Sequence, residues 1–185
     1  MSGRADSNCR PPLPHSGALP TTPRPEIQLY STKFYGYIEA TMKNTPKKLP
    51  FKEFKRIYRK VPRLCIDLAV KTNKGILLTK RAIPPYKGYW HTPGGTLLVG
   101  EKIDNAIQRI AQDEIGSKVK VIKLLGTIEF PPDEITKHSV SITYLVKPLG
   151  KKLNGSWQAK EIKFFKKIPT KTIKEQKLFL QKNCI

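Results

Sequence analysis

The stretch from Gly94 to Gly116 joins a glycine pair to a helix pattern that carries a carboxylate on its apolar side. From Ile103 onward, apolar residues recur at the spacing of one face of a 3.6-residue helix, at Ala106, Ile107, Ile110, Ala111 and Ile115. At about 100° per residue, Glu114 points to the middle of this apolar face. A carboxylate in apolar surroundings is unfavourable unless it is paired or binds a metal. The helix therefore predicts a cation site that uses Glu114.

The same stretch resembles the signature of the Nudix hydrolases, G-x5-E-x7-R-E-U-x-E-E-x-G-U, in which U is a bulky aliphatic residue. The matching positions are Gly95, Glu101, Arg109, Asp113, Glu114 and Gly116, with Asp113 as the first acid of the pair. The departures are Ile110, Ala111 and Ser117, which replace an acid and two aliphatic residues. An ordinary surface helix after a glycine turn would leave Glu114 unexplained, so we favour the family.

The resemblance implies a site in which the motif helix presents carboxylates to Mg²⁺ or Mn²⁺, hard cations that take oxygen ligands. Glu114 is the first ligand. Asp113 lies about 100° away at the edge of the apolar face, and it is either a second ligand or an exposed acid near a lysine. The family also implies catalytic roles for Arg109, Glu114, Asp113 and Glu101. A structural pair between Arg109 and Glu101 is the alternative, because both leave the apolar face on the same side.

Residues 61–67, 77–81 and 88–95 are most similar to the branch of GDP-mannose mannosyl hydrolase-like members, which also lacks the acid after the motif arginine. This resemblance implies metal ligands at the Gly94 carbonyl, Glu114 and Gln158, to which the motif helix adds Asp113 as a further candidate. It implies substrate contacts at Asp67, Arg81, Tyr89, Trp90 and Gly95. Three positions differ: Thr96 stands where the branch has an arginine, Ala159 where a histidine is expected to activate water, and Phe130 where another histidine is expected. Glu101, Asp113 or Glu161 could serve as the base instead, and the sequence does not select among them.

The chain is strongly basic, with 35 Lys and Arg against 14 Asp and Glu and a formal net charge of +21. Clustered cations bind phosphates irrespective of sequence, but here they are spread out and not interleaved with aromatic residues as in a recognition module. Nucleic acid is therefore a less favoured partner than an anionic small molecule. The sequence has neither a membrane-spanning apolar run nor a secretory signal pattern, and its three cysteines are far apart, so we expect a cytoplasmic protein.

The composition divides the chain near Met42. Residues 1–41 are rich in Pro and small polar residues and predict a disordered tail, or a start assigned upstream of the natural one. We expect the Nudix domain over 42–185. Its patterns predict a short basic amphipathic segment at 51–60, a hairpin at 64–81, the motif helix with Gly116 as its C-cap, strands at 118–130, 138–147 and 161–166, and a closing helix at 172–182. This order predicts an α+β fold, a mixed β-sheet sandwiched between helices.

We therefore predict a Mg²⁺-dependent Nudix hydrolase that cleaves a nucleoside diphosphate derivative, with a GDP-mannose-like nucleotide sugar favoured. The alternatives are a general nucleotide pyrophosphohydrolase and a catalytically inactive module that binds nucleotide or RNA. Ile110 favours attack on the sugar carbon, whereas Ala159 removes the expected base, so carbon and phosphorus attack both stay open. The sequence also leaves open the base, the sugar and a homodimer.

Overall fold

The computed structural model describes residues 46–150, 152–159 and 161–185. The predictions for residues 1–41 and for a domain start at Met42 lie outside the described residues. Within these ranges the helices are α1 Phe51–Tyr58, α2 Ile103–Ile115 and α3 Lys174–Lys182. The strands are β1 Arg63–Thr72, β2 Gly75–Lys80, β3 Trp90–His91, β4 Gly94–Thr96, β5 Val119–Phe130, β6 Ser139–Pro148 and β7 Glu161–Phe165.

Strand β1 lies at the centre of a mixed sheet with the order β3-β2-β1-β6-β5. It runs parallel to β6, with Arg63 opposite Ser139 and Val70 opposite Val146, and antiparallel to β2 and β4. Strand β7 extends the sheet along β2. The hairpin, the three later strands and both longer helices lie where the sequence pattern predicts them, and the basic segment at 51–60 is helical over most of its length.

Helices cover the sheet on both faces, which confirms the predicted α+β arrangement. One core cluster joins Ile66, Leu68 and Val70 of β1 to the apolar face of α2. The other joins Ala69 of β1 to Leu180 of α3. Residues 65–70 are consequently buried on both faces of the strand, because successive side chains of a strand point to opposite sides.

The motif helix ends as the sequence predicts. Gly116 adopts a left-handed conformation with φ 64°, and its N–H bonds to the Gln112 carbonyl. Glycine is favoured at this position because it has no Cβ to clash. In the part of the chain that the structure describes, no helix is long and apolar enough to cross a membrane.

Candidate active site

The glycine pair lies between Asp67 of β1 and Ile110 of the motif helix. Gly94 lies opposite Asp67 in the β1–β4 pair, and a Cβ on Gly94 would overlap Asp67 Oδ1. A Cβ on Gly95 would lie 3.1 Å from Ile110 Cγ1 of α2. Both glycines are therefore required for close packing on opposite faces of β4, rather than for a turn alone.

Glu114 is 8% exposed and contacts the short loop that precedes β7. Ser156 Oγ donates a 3.1 Å hydrogen bond to Glu114 Oε2 and itself accepts a 3.2 Å bond from the Gln158 N–H. The Gln158 carbonyl accepts a 2.7 Å bond from the Ala82 N–H. The loop therefore connects the motif glutamate to the residue that follows Arg81. Sequence reasoning missed Ser156, which stands in a loop with no local pattern.

The pKa of Glu114 is raised, chiefly by burial and also by the charge of Asp113. The hydrogen bond from Ser156 and the charge of Arg81 lower it in part. Burial and the charge of Arg63 lower the pKa of Arg81, whereas the carboxylate of Glu114 raises it. Glu114 and Arg81 thus act on each other electrostatically, as two residues of one site would.

The described residues contain no group of three or more His, Cys, Asp or Glu side chains that could hold a metal. Among these residues, an ion bound by Glu114 would therefore have at most one further ligand of this kind and would take the rest from neutral oxygens and water. Mg²⁺ suits such a site because it keeps several waters and binds through one or two carboxylates. The Gly94 carbonyl and the Gln158 amide, which the sequence predicts as ligands, are oxygen donors of this neutral type, so the residues present fit a single weakly held divalent cation.

Arg109 and Glu101 form a bidentate ion pair. Arg109 Nε and Nη2 lie 2.7 and 2.8 Å from the two Glu101 oxygens, and Nη2 also donates to the Thr96 carbonyl at 3.0 Å. Although burial opposes ionisation of Glu101, the hydrogen bonds from Arg109 and from the Leu98 N–H hold its pKa below the usual range. The structural pairing of Arg109 with Glu101 is therefore present, and it ties the loop after β4 to α2. Catalytic roles for both stay predictions.

Asp113 is an exposed carboxylate that pairs with basic side chains. Its Oδ2 pairs with Lys48 Nζ at 2.8 Å and lies 3.8 Å from Arg109 Nη1, and its side chain is 41% exposed. This is the exposed acid near a lysine that the sequence left as an alternative. A role of Asp113 as metal ligand stays a prediction.

Asp67 is 5% exposed and belongs to a buried polar network. Gln176 Nε2 of α3 lies 2.9 Å from Asp67 Oδ2 and 2.7 Å from Thr92 Oγ1, and Gln176 Oε1 accepts a 3.2 Å bond from the Thr92 N–H. Burial raises the pKa of Asp67 to about 6, against hydrogen bonds from Gln176, Ser141 and Thr92. A direct contact with substrate would require exchange of one of these bonds, and the substrate role of Asp67 stays a prediction.

Tyr89 and Trp90, the aromatic residues predicted to contact the substrate, have different surroundings. Tyr89 is 39% exposed, with Lys171 Nζ 5.5 Å from its ring centroid. The Trp90 ring packs edge-on against Phe165 at 4.7 Å, next to the core cluster beneath α3. Trp90 therefore packs against the core beside Phe165, and Tyr89 is the more solvent-accessible of these two aromatic residues.

The departures from the family pattern have structural reasons. Ile110 is 1% exposed and belongs to the core beneath α2, where it contacts Gly95. Ala159 is fully buried, and its N–H bonds to the Ser156 carbonyl at 3.1 Å. Thr96 Oγ1 accepts a 2.8 Å hydrogen bond from Arg63 Nε. Each replacement therefore has its own packing or hydrogen-bond partner.

A mixed sheet between helices, joined by a glycine pair to a helix with a buried glutamate, is the arrangement of the Nudix fold. A MutT NUDIX hydrolase from Burkholderia pseudomallei has this fold with a TM-score of 0.61, 22% identity and coverage of 66% of this chain and 98% of its own. A MutT protein from Methanosarcina mazei Go1 gives a TM-score of 0.61 at 16% identity, covering 68% of this chain and 94% of its own. The NUDIX domain model matches residues 61–181, more than half of the chain. The chain therefore belongs to the NUDIX family.

Two curated relatives are similar over part of the domain. An ADP-ribose pyrophosphatase from Methanocaldococcus jannaschii is 34% identical over 104 residues, covering 56% of this chain and 62% of the relative. The low-salt glycan biosynthesis protein Agl8 from Haloferax volcanii is 35% identical over 82 residues, covering 44% of this chain and 53% of the relative. The chain thus spans little more than half the length of these relatives.

Proposed function

We propose that this protein is a Mg²⁺- or Mn²⁺-dependent hydrolase that cleaves a nucleoside diphosphate derivative, with a nucleotide sugar as the favoured substrate. The observation that carries the proposal is the buried carboxylate of Glu114, held by Ser156 and acted on by Arg81. Among the residues that the structure describes, no cation forms a hydrogen bond with this carboxylate. Burial of a carboxylate without such a partner is costly, and a divalent ion would offset that cost.

Glu114, the Gly94 carbonyl and Gln158 would hold the ion. When bound, a divalent cation neutralises the leaving diphosphate and orients the attacking water. The protein's own contribution is to hold the substrate: the guanidinium of Arg81 presents a fork that can take two phosphate oxygens at once. Ser156 holds the Glu114 carboxylate by a hydrogen bond, and the charge of Arg81 acts on the same carboxylate. We do not assign the residue that activates the water. Glu101 is one candidate, but both of its oxygens accept hydrogen bonds from Arg109.

The similar proteins support the substrate class. ADP-ribose carries a sugar on a nucleoside diphosphate, as GDP-mannose does, so the name of the Methanocaldococcus relative and the sequence-based preference agree on a nucleoside diphosphate joined to a sugar. The glycan-biosynthesis relative is consistent with sugar chemistry. A general pyrophosphohydrolase stays the second candidate, because Asp113 retains one acid of the family's usual pair.

The experiment is a turnover screen with ADP-ribose, GDP-mannose and a dinucleoside polyphosphate, each with Mg²⁺ and with Mn²⁺. We expect turnover of one of the sugar compounds, absent in Glu114→Gln and retained in the exposed-acid control Glu134→Gln. Reaction in ¹⁸O-labelled water then shows which bond breaks: label on the free sugar indicates carbon attack, and label on phosphate indicates phosphorus attack. A folded protein without turnover on the whole panel would contradict the hydrolase and favour the binding module, for which salt-sensitive RNA retention is the next assay.

A further inference from the structure

Arg63, the first residue of β1, directs its guanidinium to the residue that follows the glycine pair. Its Nε donates a 2.8 Å hydrogen bond to Thr96 Oγ1, and its Cζ lies 5.2 Å from the centroid of the Phe54 ring in α1. Stacking on an aromatic face together with one Nε hydrogen bond holds the plane of a guanidinium. Neither contact uses the two terminal nitrogens, which are the ones that bind oxyanions in pairs.

Arg63 begins β1 and Arg81 directly follows the end of the antiparallel strand β2, so both lie at the same edge of the sheet. In this position the charge of Arg63 lowers the pKa of Arg81. Among the described residues neither guanidinium forms an ion pair with a carboxylate, whereas Arg109 forms two. The Nε of Arg81 donates to the Pro85 carbonyl, which leaves its terminal nitrogens unused as well. Two like charges in half-buried positions repel each other, and an anion that contacts both lowers that energy.

We propose that Arg63 and Arg81 together bind the diphosphate group of the substrate, with Arg63 as a substrate-binding residue supplied from β1. The inference rests on the proposed function and names the group that its site recognises. Thr96 itself carries no charge, but its hydroxyl places the Arg63 guanidinium beside the glycine pair. Sequence position alone would not assign this role, because 33 residues separate Arg63 from Thr96.

A purely structural role for Arg63 predicts a different outcome. Its charge also lowers the pKa of the buried Asp67 and of Cys65, so it could serve only as their counter-charge. Removal of a counter-charge changes stability, whereas removal of a phosphate ligand changes affinity for phosphate. Arg63→Lys separates the two, because lysine keeps the charge and loses the planar fork.

The experiment compares Arg63→Ala, Arg63→Lys and Thr96→Val with Arg59→Ala, an exposed arginine four residues away in sequence. For each protein we measure the affinity for inorganic pyrophosphate in excess Mg²⁺ by calorimetric titration. We also measure the melting temperature, and KM and kcat for the best substrate of the screen. We expect Arg63→Ala to weaken pyrophosphate binding and to raise KM about tenfold or more. Arg63→Lys and Thr96→Val should give smaller losses of the same kind, and Arg59→Ala should stay within about twofold of the parent.

Parent-like pyrophosphate affinity and KM in Arg63→Ala would overturn the inference even if its melting temperature fell. If Arg63→Ala does not fold, parent-like affinity in both Arg63→Lys and Thr96→Val overturns it in the same way. Failure of the folded parent to bind pyrophosphate also overturns it, whatever the parent turns over. Arg63-dependent pyrophosphate binding in a parent that turns over none of the panel would support the anion site and contradict only the hydrolase.

Discussion

The carboxyl group of Asp67 is expected to weaken the folded state when it ionises. Asp67 is 5% exposed and lies between β4 and the Gln176 side chain of α3. Burial raises its pKa from 3.8 to about 6, although hydrogen bonds from neighbouring side chains and the charge of Arg63 oppose the change. Ionisation therefore costs more free energy in the folded protein than in the unfolded chain.

The sign and size of the effect follow from this difference. The folded pKa lies above the unfolded one, so the folded state holds its proton more tightly and the free energy of unfolding falls as the pH rises from 3.8 through about 6. The neutral carboxyl makes its full contribution to the free energy of unfolding below this pH range, and that contribution is lost above the range. Each pKa unit corresponds to about 1.36 kcal/mol, so the loss is about 3 kcal/mol. Asp67→Asn stays neutral throughout and escapes this loss.

Urea unfolding at pH values from about 4 to about 8 measures the effect. The proteins compared are the parent, Asp67→Asn and the exposed-acid control Glu134→Gln. Relative to the parent, Asp67→Asn should gain about 2.4 kcal/mol of unfolding free energy between the ends of this range, because part of the loss has already occurred at about pH 4, whereas the control should change by less than about 0.5 kcal/mol. Comparison with the parent removes the contribution of all other titrating groups. A difference between Asp67→Asn and the parent that does not vary with pH would refute the reasoning.

Four further outcomes are expected. Glu114→Gln should lower Mg²⁺ affinity at least about tenfold by calorimetry without lowering the melting temperature of the metal-free protein, because it removes a buried charge; equal affinities would exclude Glu114 as a ligand. Ser156→Ala should move the acid limb of the pH–rate profile to higher pH, since the Ser156 hydrogen bond lowers the Glu114 pKa; an unmoved limb would show that Ser156 does not act through Glu114. Arg109→Lys should lower the free energy of unfolding by about 1–3 kcal/mol because lysine cannot form the bidentate pair, and an unchanged urea midpoint would contradict this. A chain beginning at Met42 should melt at the temperature of the full chain, and a loss of several degrees would show that residues 1–41 pack on the domain.

Most of the fold could be predicted from local patterns. Helix α2 follows from apolar spacing between neighbouring turns, and its end follows from Gly116. The strand at Arg63–Thr72 follows from alternation along the chain. Each of these signals depends on residues close together in sequence, where the backbone geometry relates one side chain to the next.

The surroundings of the site residues could not be predicted in this way. Ser156 reaches Glu114 across 42 positions and Gln176 reaches Asp67 across 109, and neither side chain belongs to a local motif. Alternation along β1 predicted a strand but did not show whether one or both of its faces are buried. Helices on both faces of the sheet bury Asp67 as completely as its apolar neighbours. Tertiary contacts therefore decide which predicted residues are accessible to a ligand.

The family match begins at residue 61, but the site does not. Lys48 pairs with Asp113 of the motif helix, and Phe54 of α1 stacks on Arg63. The segment that matches the family model thus begins after two residues that contact charged side chains of the site. A minimal domain cut at the family boundary would keep every signature residue and lose two contacts that orient charges around them. Conversely, substitutions in the segment before β1 offer a way to retune substrate preference without touching the signature at all.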